Sequence, residues 1–283
     1  MVKSADETYA DFKELIGKTI KNDKVFPFKK SGVIKKIILI SDIHSPFLDK
    51  DRLAKLITSE KDVDELIVNG DIDDLYPLSR FIKQKEVNAM DTLKEIDWFA
   101  HTVSEYYPKI KFLKANHDQR VFRYFQRQGI PVHIIEAFVR TDYLDFIIVP
   151  YKNVEIVKTQ VTLNHHPEIY HFQMVGKDCV AGHWETYSKV NLRSAENCFN
   201  WYQQWRSTLG LPEIKLLIQS HTHQLGSRMV WGDKCYGESG TLALVQDYTI
   251  DGRVGYTPPQ PGYWLIIQKN GITDLRETRY IPL

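Results

Sequence analysis

The run Ile37-Ile38-Leu39-Ile40 is unbroken and apolar, which is the pattern of a strand buried on both faces. A helix is predicted over about residues 50–59, and Leu66-Ile67-Val68 gives a second buried strand that stops at Asn69-Gly70. Together they make one βαβ unit. Helices are predicted at 77–84 and 91–107, the second carrying Leu93, Ile96, Trp98, Phe99 and Val103 and ended by Pro108. A strand at Lys109–Lys114 and a helix from Asp118 to Gln128, stopped by Gly129 and Pro131, continue the alternation. Beyond residue 145 the pattern turns towards strands. They are expected at Phe146–Val149, Val154–Leu163 and Cys179–Ala181, with Gly176-Lys177-Asp178 as the turn before the last. An aromatic-rich helix near 191–206 precedes strands near 214–219, 228–232, 241–246 and 263–268, and the proline-rich stretch Thr257–Gly262 reads as a surface loop. Upstream, Ser4 and Glu7 form a capping-box pattern ahead of Tyr9, Phe12, Leu15 and Ile16 at helical spacing. The expected organisation is an N-terminal helix and linker over residues 1–31 and one α/β domain, rich in sheet towards its end, over 32–283.

Composition narrows the function classes. With 283 residues, 43% hydrophobic, the chain can bury a substantial core. A net charge of +1 argues against holding nucleic acid by bulk electrostatics, so any polyanion must be gripped locally. Cys179, Cys198 and Cys235 are too few and too scattered for a disulfide framework, which points to a reducing cytoplasm. The N-terminus lacks the features of a signal peptide and no apolar stretch is long enough to span a bilayer, so no membrane partner is expected.

The chemistry lies at the strand ends. The first strand runs into Ser41-Asp42-Ile43-His44, the second into Gly70-Asp71-Ile72-Asp73-Asp74, the third into Asn116-His117-Asp118, and the strand ending at Gln219 into Ser220-His221-Thr222-His223. In open α/β sheets the carboxyl ends of the strands form the ligand crevice, so these residues are expected to meet. Asp-x-His and His-x-His at strand ends can turn a hard oxygen and imidazoles towards one divalent cation. Singly, each motif is as well explained by a turn or a helix cap, but four in order are not. Asp42, His44, Asp71, Asn116, His221, His223 and one further histidine exceed what one ion needs and suit two. With Asp71 bridging, Asp42, His44 and His223 would complete one site, and Asn116, His221 and the further histidine the other. Two ions about 3.5–4 Å apart can hold a phosphoryl group and activate a bridging water.

This series, Asp42-x-His44, Gly70-Asp71-x-x-Asp74, Asn116-His117-Asp118, a later histidine and His221-x-His223, resembles the calcineurin-like metallophosphoesterase superfamily over roughly residues 35–245. The resemblance implies a β-sandwich flanked by helices, a dinuclear centre and a metal-bridging hydroxide that hydrolyses phosphate esters. Manganese is the first expectation, with iron, zinc, nickel or magnesium as alternatives. It makes Asp42, His44, Asp71, Asn116, His221 and His223 metal ligands, His117 the donor to the phosphate or leaving oxygen, and Asp118 its orienting partner. Asp74 is expected to hydrogen-bond around the ligands. Ala115 and Ser220 stand where the family usually has glycine, replacements that matter only where a positive φ is needed. For the remaining ligand, the family order of strand, histidine, helix, strand, His-x-His favours His183 over His165 or His166. His133 lies too close to the third motif.

Arg120 and Arg123 follow that motif, and Arg120 is the candidate for gripping a substrate phosphate, against a solvated helix face. Trp201, Tyr202 and Trp205 read as core before they read as a base-stacking platform. Lys189 and Arg193 could add positive potential near the metals, and the loop with Pro258, Pro259 and Pro261 could wall the crevice. The lean is towards phosphodiester substrates, a nucleotide or nucleic acid. The alternatives are a phosphomonoesterase on the same site and a non-catalytic metal-binding scaffold of the same fold.

Overall fold

A computed structural model of the chain describes residues 34–78, 87–118, 120–131, 134, 143–148, 150–157, 172–230, 232–246 and 258–283. Strand β1 (Ile34–Ile40) and β2 (Glu65–Asn69) pair in parallel, and helix α1 (Lys50–Ser59) crosses between them. The Asp49 carboxylate caps α1 by accepting the Arg52 amide at 3.1 Å. Strands β3 (Ile110–Leu113) and β4 (Val154–Val157) extend the parallel run, and β10 (Gly262–Lys269) lies antiparallel on the other side of β1. β11 (Ile272–Thr273) and β12 (Arg279–Pro282) both pair with β10.

Why β1 is apolar at every position of its inner half is now plain. Ile38 and Ile40 face the helical layer, where they meet Leu53, Leu56 and Ile57 of α1, residues of α2 (Ala89–Tyr106) such as Ile96 and Phe99, and Leu144 and Ile148 of α4 (Tyr143–Ile148). Ile37 and Leu39 face a second sheet, packing with Cys179, Ala181, Leu216 and Ile218, and share that interface with Trp264 of β10. That sheet runs in the order β5 (Phe172–Val175), β6 (Cys179–Gly182), β7 (Leu216–Gln219), β9 (Lys234–Ser239), β8 (Leu225–Val230), with β6, β7 and β9 parallel. Its outer face carries α5 (Arg193–Trp205), through Ala195, Cys198, Phe199 and Tyr202 against Val180, Leu217 and Tyr236. The architecture is a β-sandwich flanked by helices, with βαβ crossovers feeding both sheets. On α5, Tyr202 is core, whereas Trp205 remains 43% exposed.

Several elements differ from the sequence reading. The run Phe146–Val149 reads as a strand, yet residues 143–148 are helical, because Leu144 and Ile148, four apart, are what the core takes up. Residues 241–246 form no strand. Thr241 and Ala243 make single bridges to Pro261 and Leu48, and the strand lies upstream at β9. Of the helix expected at 77–84, the described part is a 3-10 turn at Tyr76–Leu78. The expected strand at Val154–Leu163 is described only as β4. The N-terminal helix and linker over 1–31, and His133, His165, His166 and His171, lie outside the described residues. Pro258–Gln260 is irregular as expected, but Gly262 already belongs to β10. The three cysteines are buried free thiols, and among the described residues no helix is long and apolar enough to cross a membrane.

Candidate metal centre

The carboxyl ends of β1, β2 and β3 in one sheet and of β6 and β7 in the other open on the same edge of the sandwich, and the chain turns tightly as it leaves β1, β2 and β7. Asp42, His44, Asp71, His221 and His223 all take left-handed backbone conformations, with φ of 52°, 48°, 49°, 79° and 56°. Such conformations are costly for residues with a Cβ and persist where surrounding structure enforces them. Neither Ala115 nor Ser220 is among the positive-φ residues, so the two positions where the family usually has glycine carry no backbone penalty. Gly70, at φ 90°, is different: a Cβ there would fall 2.6 Å from the Ala115 methyl and into the His183 ring.

Among the described residues there are three groups in each of which the potential ligand atoms lie within 4.8 Å of one another: Asp42 with His44 and His223, His44 with Asp71 and His117, and Asp71 with His183 and His221. Asp71 therefore stands between two histidine sets. Its Oδ2 is 3.1 Å from His183 Nε2 and 3.8 Å from both His44 Nε2 and His117 Nε2. Asp42 Oδ1 is 3.2 Å from His223 Nε2, and the Nε2 atoms of His44 and His223 are 3.0 Å apart. Asn116 is buried with its Oδ1 lacking a hydrogen-bond partner. Buried polar atoms in that state are costly and call for a ligand. A donor set of carboxylate, amide oxygen and imidazole is what a divalent transition ion takes, so these residues fit a metal centre.

The ligand atoms are aimed by a surrounding set of hydrogen bonds. The Asn69 carbonyl accepts from His183 Nδ1 at 2.9 Å, which leaves Nε2 directed at Asp71. The His221 amide donates to Asp42 Oδ2 at 3.2 Å, the His117 amide to Asp71 Oδ1 at 3.1 Å, and the Thr241 hydroxyl to the Asp42 carbonyl at 2.8 Å. Asn69 and Thr241 carry no motif signal, and sequence reasoning misses both.

His117 is held differently from the expectation. Asp118 does not orient its ring: the Asp118 carboxylate accepts the Ala115 amide at 2.7 Å and the Asp73 amide at 3.4 Å, fastening the loop after β3. The ring instead has Asp74 Oδ1 at 2.8 Å from Nδ1 and an Arg120 nitrogen at 2.7 Å from Nε2. Arg120 opens α3 (Arg120–Arg127) and also donates to the Asp74 carbonyl and, at 3.1 Å, to its carboxylate. Arg123 pairs with Glu185 at 2.5 Å, tying α3 to the segment after His183. Arg193 pairs with Glu196 of its own helix at 2.9 Å. The proline-rich loop does reach the site's border, where the Gln260 amide donates to the His223 carbonyl at 2.8 Å.

Charge is tightly coupled here. Burial disfavours ionising Asp42 and Asp71, but the imidazoles of His183 and His223 around the first, and of His117 and His183 around the second, hold both carboxyls well below the usual range. Burial also opposes protonating His44 and His183, yet Asp42 and Asp74 push His44 up to about 10, and Asp71 and Asp42 push His183 up to about 9. His117 is taken down to about 4 by burial and by Arg120, against the pull of Asp71. His221 falls to about 3 through burial and the neighbouring His183. Burial and the Asp71 charge raise Asp118 well above an ordinary carboxyl. Protons on His44 and His183 thus balance the carboxylates, and bound cations would compete for the same place.

The loop between His221 and His223 hangs on Glu238 of β9, a buried carboxyl bonded to the backbone of Ala195 and Leu192 and to the Thr222 side chain. Burial outweighs those bonds and raises it to about 7. From about pH 4.5, where an exposed glutamate ionises, to about 7, the folded chain keeps a proton that the unfolded chain has lost. Stability should therefore fall as pH rises through that window, by roughly 3 kcal/mol, and Glu238→Gln should remove this component. Chemical denaturation at about pH 4.5 and pH 8 checks it; an identical pH slope in the variant would refute the assignment.

Residues 35–251 match the calcineurin-like phosphoesterase family, and the chain belongs to it. Among solved structures it is similar to a metallophosphoesterase from Sphaerobacter thermophilus, at 14% identity over 88% of this chain and 88% of that one, with a TM-score of 0.43. Vacuolar protein sorting 29 from Cryptosporidium parvum aligns at 13% identity over 89% of this chain and 100% of its own, with a TM-score of 0.38. The Chaetomium thermophilum Vps29 does so at 11% identity over 88% and 95%, also with a TM-score of 0.38. No curated protein matches the chain.

Proposed function

We propose that the protein is a dinuclear metal-dependent phosphoesterase acting on phosphodiester or nucleotide substrates. The observation that carries this reading is the Asp71 carboxylate shared between two histidine sets, with the buried, unpartnered Oδ1 of Asn116 in the adjoining loop. Asp42, His44 and His223 would hold one ion and Asn116, His183 and His221 the other, with Asp71 common to both. When bound, such a pair supplies Lewis acidity towards phosphoryl oxygens and acidifies a water to serve as nucleophile. Manganese is the first candidate.

The rest of the chemistry belongs to the chain's own groups. His117, fixed by Asp74 at Nδ1, presents Nε2 and the Arg120 guanidinium side by side. A phosphate oxygen arriving at that point would meet both donors, and its charge would favour a proton on His117 that can pass to the departing oxygen. Arg120 in this role binds substrate only by releasing His117. The diester lean rests on this local cationic grip, since Tyr202 of the aromatic helix is buried in the core. Buried free thiols suit a reducing, cytoplasmic setting. With manganese present, bis-p-nitrophenyl phosphate should be cleaved with higher kcat/KM than p-nitrophenyl phosphate. A strong preference for the monoester would overturn the diester assignment.

A further inference from the structure

Beneath the proposed ligands runs a buried chain of neutral polar side chains. Ser41 Oγ lies 2.6 Å from Ser239 Oγ, the Ser239 hydroxyl donates to Ser220 Oγ at 3.0 Å, and Asn69 Nδ2 donates to Ser220 Oγ at 2.6 Å and to the Gly182 carbonyl at 3.0 Å. The Gly240 carbonyl, 3.1 Å from Ser41 Oγ, is an alternative acceptor for the single Ser41 proton. All four side chains are at most 1% exposed. Their positions are telling. Ser41 immediately precedes Asp42, Asn69 precedes Gly70-Asp71, Gly182 precedes His183 and Ser220 precedes His221. The chain therefore joins the last residues of β2, β6 and β9 to the residues just after β1 and β7, across both sheets, directly behind the groups that would hold the ions.

We propose that this serine–asparagine chain is a positioning device that fixes the separation of the two halves of the metal centre, with Ser220 as its node. The inference rests on the dinuclear reading above. The two sheets meet here through side chains, because among the described residues no backbone ladder joins β2 to β6 or β7. Apolar residues at these positions would fill the space without direction, whereas linked hydrogen bonds specify one relative placement. Ser220 stands where the family usually has glycine. A glycine would leave Asn69 Nδ2 with the Gly182 carbonyl alone and would cut the path from Ser41 to Asn69. Asn69 is the more constrained for holding His183 through its carbonyl as well.

The test is manganese binding, followed by titration and by the electron paramagnetic resonance signal of the coupled ion pair, in wild type, Ser220→Ala, Ser220→Thr and Ser41→Ala, alongside melting of the metal-free proteins. Ser220→Ala should weaken at least one manganese site by about 10–100-fold and alter the coupled signal, as loss of an orienting partner does elsewhere. Ser220→Thr, which keeps the hydroxyl, should recover both. Ser41→Ala should shift the same readouts in the same direction, and it decides the matter if Ser220→Ala does not fold. Wild type binding two ions, with the folded variants matching it in affinity and coupling, would overturn the positioning role. Wild type binding fewer than two ions would instead overturn the dinuclear reading on which the proposal rests.

Discussion

Replacing Asp71 with Asn is expected to lower phosphoesterase turnover by about 10³-fold or more, on the order expected when a centre loses its shared charge. The change is nearly isosteric, so its effect reports charge rather than shape. Asp71 Oδ1 also accepts the His117 amide at 3.1 Å, a bond an amide oxygen can still accept. The substitution should therefore leave the loop after β3 in place while removing the carboxylate that faces His183, His44 and His117. The metal-free variant should melt close to wild type or lower, because the carboxylate that balances the raised imidazoles is gone. Steady-state kinetics with manganese, together with metal analysis of the purified variant, checks it. Activity near wild type would count decisively against the mechanism.

His117→Ala is the second large effect, expected at about 10²–10³-fold in kcat with both ions retained. The nearest partners of the His117 ring are Asp74 and Arg120, with Asp71 Oδ2 farther off at 3.8 Å, and His117 is not one of the proposed ion-holding residues. Its loss should consequently be selective. The deficit should grow with the basicity of the leaving alcohol, because a p-nitrophenolate needs little protonation and an alkoxide needs much. Asp74→Asn should lower kcat more mildly, since Nδ1 would lose a charged partner at 2.8 Å but keep a neighbour, and it should also weaken ion binding beside His44, whose Nδ1 lies 3.4 Å from the same Asp74 oxygen. A loss that is the same for all leaving groups, or that comes with loss of metal, would place His117 elsewhere in the reaction.

What can be read from the chain follows from what each residue signals alone. The unit from β1 to β2 is legible because a strand covered on both faces must be apolar throughout, and the second run stops at Asn69-Gly70. Residues 143–148 mislead because a short apolar run has no period of its own, and only the partner layer decides whether it winds. Strand β9 escapes notice since Lys234-Cys-Tyr-Gly-Glu-Ser lacks the β-branched signature. Gly237 is there for proximity: a Cβ would fall 2.6 Å from the Gly226 carbonyl oxygen. At the site, the motifs name the residues that gather at the strand ends, because residue type and strand-end position are both written locally. The partner of His117 is not. Asp118, next in sequence, turns back to the backbone as a loop fastener, and the ring's carboxylate comes from Asp74, beyond the end of β2. Nor is the serine–asparagine chain visible, since Ser41, Ser220 and Ser239 gain meaning only once two sheets bring them within 3.0 Å.

The most direct measurement is a crystal structure of the protein grown with manganese, with anomalous scattering recorded at the manganese edge. The account predicts two peaks about 3.5–4 Å apart on either side of the Asp71 carboxylate, one beside Asp42, His44 and His223 and the other beside Asn116, His183 and His221. A single peak, or peaks lying away from Asp71, would contradict it.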